Sequence, residues 1–246
     1  MTARPRGGEG RVTTVRSAEP GFAQAVLRSC ALFRAVDDDA LALVAASLRT
    51  RRFRRNEVIF HAGDPGDSLF IVESGSVKIV LASAEGEEAI IATLHRGDFF
   101  GELAVLDGAE RSASAIAFEP TELYTLSRGP FLRLIDEQRA LRTALLTSVA
   151  GELRRLTHHV EELHFLDLPG RLAMRLVELA READPAGREV RLPWPYTQSE
   201  LASMIGGTRQ SVNRLLSGLS EEGLLRIEHE AIVIPDVERL ARVAER

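Results

Sequence analysis

FGELAVLDGAERSASA, residues 100–115, sets a glycine, a carboxylate, an apolar run, a tight turn and an Arg-Ser pair in that order. Gly101 has no side chain, so a ligand can approach the backbone closely there. Glu102 is a fixed acceptor for a sugar hydroxyl. Arg111 offers a planar, permanently charged fork that suits a phosphate. Ser112 adds a hydroxyl and a backbone N–H beside it. Leu103, Val105 and Leu106 would anchor the segment to a core while the polar groups converge. Together these residues suit a small anionic sugar-phosphate. Spacing alone fits equally well a β-turn carrying an ordinary surface Glu and Arg.

The flanking chain gives this stretch its setting. From Thr50 onward short apolar runs read as strands: residues 50–55, ValIlePhe from Val58, LeuPheIleValGlu from Leu69, ValLysIleValLeu from Val77, and AlaIleIleAlaThrLeu from Ala89. Turn signals separate them at residues 62–67, 74–76, 85–87 and 96–98. Two more strands are expected over residues 113–126, around Glu119-Pro120. Many short strands at regular spacing argue for a β-roll or barrel. Gly63, Gly66 and Gly75 are then turn residues rather than ligand contacts. The cluster Arg51, Arg52, Arg54 and Arg55 alternates around Phe53 and reads as a solvated strand face. Upstream, residues 22–48 show helical spacing in two stretches, with Asp37 placed to cap the second. Residues 1–20 lack periodicity and read as a disordered tail.

Composition bounds the function. The chain has 246 residues, 45% hydrophobic and 27% charged, enough for two ordinary domains with real cores. The formal charge of −5 provides no global basic field, so any nucleic-acid affinity must be local. The single cysteine, Cys30, can form neither an internal disulfide nor a four-thiolate iron–sulfur cluster, and it reads as a small buried apolar residue. No signal peptide and no run of about 18 apolar residues is found, so no membrane is expected and the expected compartment is the cytoplasm. No nucleophile–base–orienter set or metal motif stands out, so no enzyme is expected.

Helical sequence begins at Ser127 or Arg128 and is expected to run to about Phe165. Leu146, Val149, Leu153, Leu156, Val160 and Leu163 step by 3, 4, 3, 4 and 3, the spacing of a coiled-coil seam. His158, His159 and His164 cluster here, but no pair has the i, i+4 spacing of helical metal ligands, so they read as solvated or packed. Pro169 suits the first turn of a new helix, expected to end near Ala183. Thr197-Gln198-Ser199-Glu200 is a capping box, Gly206-Gly207 a helix stop, and Thr208 the cap of a second helix with Val212, Leu215 and Leu216 inward. Helix, tight turn and helix at this spacing form a helix-turn-helix, and residues 223–228 and 231–234 read as a hairpin wing. Over residues 208–219 the only charges are Arg209 and Arg214. Thr197, Thr208, Arg209, Gln210, Ser211, Asn213 and Arg214 are the candidate DNA contacts.

FGEL, a short turn and RSA resemble the phosphate-binding cassette of cyclic-nucleotide-binding domains. Over residues 27–242 the chain resembles the CRP/FNR superfamily of bacterial transcription regulators. The resemblance implies an α+β protein: an N-terminal cyclic-nucleotide-binding β-roll over residues 21–137, a long dimerisation helix over 138–166, and a C-terminal winged helix-turn-helix over 167–246. It implies that Glu102 takes a ribose hydroxyl, that Arg111 and Ser112 hold a cyclic phosphate, and that Gly101 and Leu103 line the ligand. It implies cAMP as effector, a homodimer held by the 146–163 seam, double-stranded DNA with a palindromic operator as target, and RNA polymerase as a further partner. No metal, haem or iron–sulfur cluster is expected. The alternatives are another effector, or DNA binding without one; a cyclic-nucleotide sensor for an attached enzyme or channel would need a segment that the chain lacks. Two departures stand out. Leu156, paired with Thr157 where the family's cAMP binders meet the adenine, replaces a Thr. Gln210 replaces the Glu of the family's Ser-Arg-Glu-Thr/Ser-Val recognition helix, while Arg209 and Arg214 keep its arginines.

Overall fold

The computed structural model describes residues 16–17, 20–84, 87–193, 196–229 and 231–244. The chain divides into two compact units, Met1–Val80 with Ala92–Ser148, and Leu81–Ile91 with Val149–Arg246. Most of the expected disordered tail lies outside the described residues, as does the Glu85-Gly86 part of one expected turn. The tail is corrected where it is described. Arg16–Ser17 form a strand, β1, and Pro20 already begins α1 (Pro20–Ser29). Strand β1 pairs antiparallel with the next strand of the sheet, Arg16 opposite Thr50 and Ser17 opposite Arg49, and two residues are too short a run to show a period in the sequence.

In the first unit, α2 (Asp38–Ser47) is capped by Asp37, whose carboxylate accepts from Ala40 N at 2.8 Å. The strands follow as β2 (Arg49–Phe53), β3 (Val58–Phe60), β4 (Ser68–Ser74), β5 (Val77–Ala82), β6 (Glu88–Leu94) and β7 (Phe99–Phe100), the end of β5 and residues 88–91 of β6 being counted with the second unit. After helix α3 (Glu102–Asp107) come β8 (Ser114–Ala117) and β9 (Thr121–Ser127). They form two sheets, ordered β1-β2-β9-β4-β7 and β3-β8-β5-β6. Phe53, Ile59, Phe70, Val72, Val77, Phe100, Ala115, Ala117 and Leu123 form one core cluster. The opposite face of β4 and β9, with Leu69, Ile71, Tyr124 and Leu126, packs against helices α1 and α2 and the helix α4 (Arg128–Glu137). Strand β4 is therefore covered on both faces, which is why Leu69 to Val72 run apolar without alternating, between Ser68 and Glu73.

Three sequence expectations need correction here. Residues 102–107 are helical, whereas only a turn was expected, and within α3 Ala104 and Val105 are buried but Leu103 is 45% exposed. Successive helical residues point about 100° apart, so Leu103 cannot share the inward face and does not anchor the cassette. The expected continuous helix from Arg128 breaks at Gln138 (φ −107°, ψ 100°), separating α4 from α5 (Arg139–Phe165). Arg142 donates to the freed carbonyls of Ile135 and Asp136, so a cation caps the negative end of α4. Gly66, expected as a turn residue, instead allows a close approach, for any Cβ there would collide with Ala104.

Cys30 closes α1 within the helix-facing core and is fully buried. Burial pushes its thiol up to about 11. At pH 8 about one thiol in a thousand is then ionised. Native protein should resist a maleimide over hours and react within minutes in denaturant; mass spectrometry of both samples checks this.

In the second unit, α6 (Leu168–Ala183) starts as expected, Asp167 accepting from Gly170 N at 2.9 Å with Pro169 in the first turn. After it come β10 (Val190–Pro193), α7 (Gln198–Ile205), α8 (Arg209–Glu221), β11 (Arg226–Ile227), β12 (Ala231–Ile234) and α9 (Val237–Ala244), and the inward face of α6, including Leu172, Leu176 and Val177, packs on α9. The expected hairpin wing is β11–β12, and β10 joins it as a third strand, in the order β10-β12-β11. Helix α5 begins in the first unit and continues into the second.

Candidate functional site

Strands β3, β4 and β7 each contribute a phenylalanine beneath the cassette. Phe70 and Phe100 stack with ring centroids 5.2 Å apart, and Phe60 lies 5.6 and 5.9 Å from them. The Arg111 guanidinium rests on this cluster, its Cζ 4.4 Å from the centre of Phe60 and 5.6 Å from that of Phe70. Only 5% of Arg111 is exposed. Its Nη1 donates to the Gly101 carbonyl and its Nη2 to the Ser68 carbonyl, both at 2.7 Å. Its Nε is buried and has no partner among the described residues. Burial pulls the guanidinium below its ordinary pKa, and the carboxylates of Asp67, Glu102 and Asp64 push it back.

The backbone around this cation is held on all sides. Gly101 sits at φ +80°, and a Cβ there would stand 2.5 Å from Arg111 Nη1. Both facts call for glycine at this position. Arg111 N donates to Asp64 O and Gly63 N donates to Arg111 O, each at 2.9 Å, while Ala62 N donates to Ser114 Oγ at 2.9 Å. The 61–66 turn is thereby stitched to the Arg-Ser end of the cassette. Glu102 is half-buried in the first turn of α3, and Ser112 is exposed. The structure thus gathers Gly101, Glu102, Arg111 and Ser112 in one unit, with Leu103 beside them. A buried guanidinium N–H without an acceptor is costly, and an anionic oxygen is the group that would satisfy it. The residues present fit a cyclic phosphate ester.

Leu156 and Thr157 lie on α5 in the second unit. Thr157 Oγ1 donates to Leu153 O at 2.9 Å. The seam residues are exposed: Leu146 66%, Val149 37%, Leu153 66%, Leu156 45%, Val160 64% and Leu163 48%. Six apolar side chains in one stripe facing water require a cover. The histidines are not grouped with other ligands; among the described residues no cluster of three metal-ligating side chains occurs. His158 faces Glu161 at 3.4 Å and His159 faces Glu162 at 3.6 Å.

The helix pair α7–α8 is built from local signals. Thr197 Oγ1 accepts from Glu200 N, and Glu200 Oε2 accepts from Thr197 N, closing the capping box. Gly206 ends α7 at φ +67°. Thr208 Oγ1 accepts from Ser211 N at 3.2 Å and lies 2.9 Å from Ser211 Oγ. Val212, Leu216 and Leu219 turn α8 onto the core. Arg209, Gln210, Asn213 and Arg214 are exposed, and no ion pair engages either arginine among the described residues. The hydroxyls of Thr197, Thr208 and Ser211 take part in capping, and of the Thr208–Ser211 hydroxyl pair only one O–H is used as donor. Sequence reading does not single out Gln198, whose Nε2 donates to Asn213 Oδ1 at 3.0 Å. Nor does it single out Phe60 and Phe70, whose inward strand positions are the available signal.

Residues 50–138 match the cyclic nucleotide-binding domain family, and residues 170–243 match the Crp-like helix-turn-helix domain family. Over 220 residues the chain is 33% identical to the CRP-like cAMP-activated global transcriptional regulator of Mycobacterium tuberculosis, covering 89% of this chain and 98% of that protein. It is 31% identical over 218 residues to the cyclic AMP receptor protein of Thermus thermophilus, covering 89% and 98%. The solved structure of FixK2 from Bradyrhizobium japonicum matches with a TM-score of 0.71 at 25% identity, covering 79% of this chain and 96% of that one.

Proposed function

The chain belongs to the CRP/FNR superfamily of transcription regulators, and on that premise we propose that it is a cytoplasmic homodimer that binds cAMP in its β-roll and a palindromic operator through α8. The observation that carries the effector reading is the buried Nε of Arg111, which lacks an acceptor beside a glycine-lined cassette. Arg111 would meet the cyclic phosphate, Ser112 would support it, and Glu102 would take the ribose hydroxyl. The exposed seam on α5 supports pairing with a second copy. RNA polymerase is the further partner suggested by the family. The chain acts by binding and not by catalysis.

Leu156 favours a second reading, in which the effector is a different nucleotide or is dispensable. An apolar side chain at that position supplies no hydrogen bond to an adenine. Calorimetric titration with cAMP and cGMP, followed by operator binding with and without each, separates the readings. The first expects saturable cAMP binding, one per protomer, that strengthens operator binding. Absence of cAMP binding, with operator binding unaffected by either nucleotide, would leave the second.

Gln210 should set the operator sequence. A Glu at this position accepts from cytosine N4, whereas Gln both donates and accepts and fits the N6/N7 edge of adenine. Sites selected from random DNA should keep the guanines facing Arg209 and Arg214. At the base pair facing Gln210 they should move from cytosine toward adenine, by about 1–3 kcal/mol. Gln210→Glu should restore cytosine; recovery of the same base by both proteins at equal stringency would remove Gln210 from the readout.

A further inference from the structure

Gln198 opens α7, yet its side chain reaches across to the middle of α8. Its Nε2 donates to Asn213 Oδ1 at 3.0 Å. Asn213 stands three residues after Gln210 and four after Arg209, so all three share one exposed face of the helix. An unrestrained asparagine on that face could turn its amide over and offer either edge, and so would discriminate weakly between bases. Here the oxygen edge is occupied. Asn213 Nδ2 makes no hydrogen bond among the described residues, and its two N–H groups are the edge left to the outside.

We infer that Gln198 is a positioning residue that fixes the Asn213 amide with its donors outward, making Asn213 a specificity-determining residue for a base presenting an acceptor in the major groove. The inference rests on the reading of α8 as the DNA-binding helix. Guanine offers N7 and O6, thymine offers O4, and adenine offers N7 beside its N6 donor, whereas cytosine presents only the N4 donor. An amide leading with N–H therefore favours guanine or thymine and rejects cytosine. The link also couples two helices: whatever displaces the start of α7 frees the amide on α8.

The test is site selection from random DNA by the full-length protein, run with saturating cAMP and without it. Asn213→Ala marks the base pair that Asn213 faces, as the position whose preference is lost. Wild type should enrich guanine or thymine there. Gln198→Glu can only accept, so it takes Asn213 Nδ2 and turns the amide over. The preference should then invert to cytosine or adenine, with a change in relative enrichment of about 3–10-fold, the worth of one hydrogen bond. Gln198→Ala frees the amide and should flatten the preference by about the same factor. The guanines facing Arg209 and Arg214 should stay unchanged in all variants, which reports an intact fold. Enrichment of cytosine by wild type, or an identical base at equal stringency in wild type and both Gln198 variants, would overturn the inference. So would loss of all selection in both Gln198 variants, which would make the link merely structural. If wild type itself enriches no site, the DNA-binding reading fails, and this inference fails with it.

Discussion

Arg111→Leu should weaken cAMP binding by about 30-fold at the least, because truncating one partner of a buried, hydrogen-bonded charge pair costs about 2–5 kcal/mol. The effect has two sources. The first is the phosphate, which loses a buried cation held on the Phe60 and Phe70 rings. The second is the cassette, since Nη1 and Nη2 hold the Gly101 and Ser68 carbonyls. Leucine leaves those carbonyls unpaired, at about 1–3 kcal/mol for each one that water does not reach, so the variant should also melt lower. Arg111→Lys separates the two. Its ammonium keeps the charge but offers a single nitrogen where the guanidinium reaches the two carbonyls with separate nitrogens, so affinity should fall less than in the leucine variant while much of the melting loss remains. Calorimetry well below each variant's melting temperature, with near-UV circular dichroism to confirm the native aromatic cluster, reads both effects. A folded Arg111→Leu with wild-type affinity would put the phosphate somewhere else.

The parts of this molecule that the sequence announces are those made by local chemistry. Asp37, Thr197 and Thr208 each lie one residue before a helix and cap it as their side chains predict, while Asp167 caps α6 where the sequence points only to Pro169. The seam on α5 is legible because a 3,4 spacing persists through six positions. What escapes the sequence is either too short to be periodic or made by residues far apart. Helix α3 has six residues, and its only trace is the pair of left-handed glycines, Gly101 and Gly108, that bound it. Strand β10 spans four residues ending in a proline, and it exists because β12 offers an edge. The break at Gln138 contains neither Pro nor Gly, and Arg142 stabilises it from the next helix. In the cassette, residue types and order are legible, but the anchoring of Arg111 is not. Ser68 lies 43 positions away, and nothing in its identity signals that its carbonyl will hold a guanidinium. The Gln198–Asn213 link, 15 positions apart, exists only once the turn at Gly206 brings the two helices together.

Leu153→Glu should convert the protein to a monomer. Helix α5 has 27 residues and is about 40 Å long. Leu153 lies near its middle, apolar and 66% exposed. In a parallel pair related by a two-fold axis, a seam residue meets its own copy. Glutamate there removes two leucines from the contact, about 1.5–3 kcal/mol each, and sets two like charges in their place. The dimer dissociation constant should rise by more than about 100-fold on the leucine terms alone. Analytical ultracentrifugation at low micromolar concentration should then show monomer. Operator binding should fall with it, because two half-sites bound by one linked dimer gain about 10²–10⁴ over independent binding. Arg154→Glu is the control. Its charge change is larger, but Arg154 lies on the polar face one step around the helix, so the dimer should persist. Leu153→Ala keeps the seam uncharged and should weaken the dimer less than glutamate does. A Leu153→Glu protein that still sediments as a dimer would place the two-fold contact away from this seam, and the exposed stripe on α5 would need another cover.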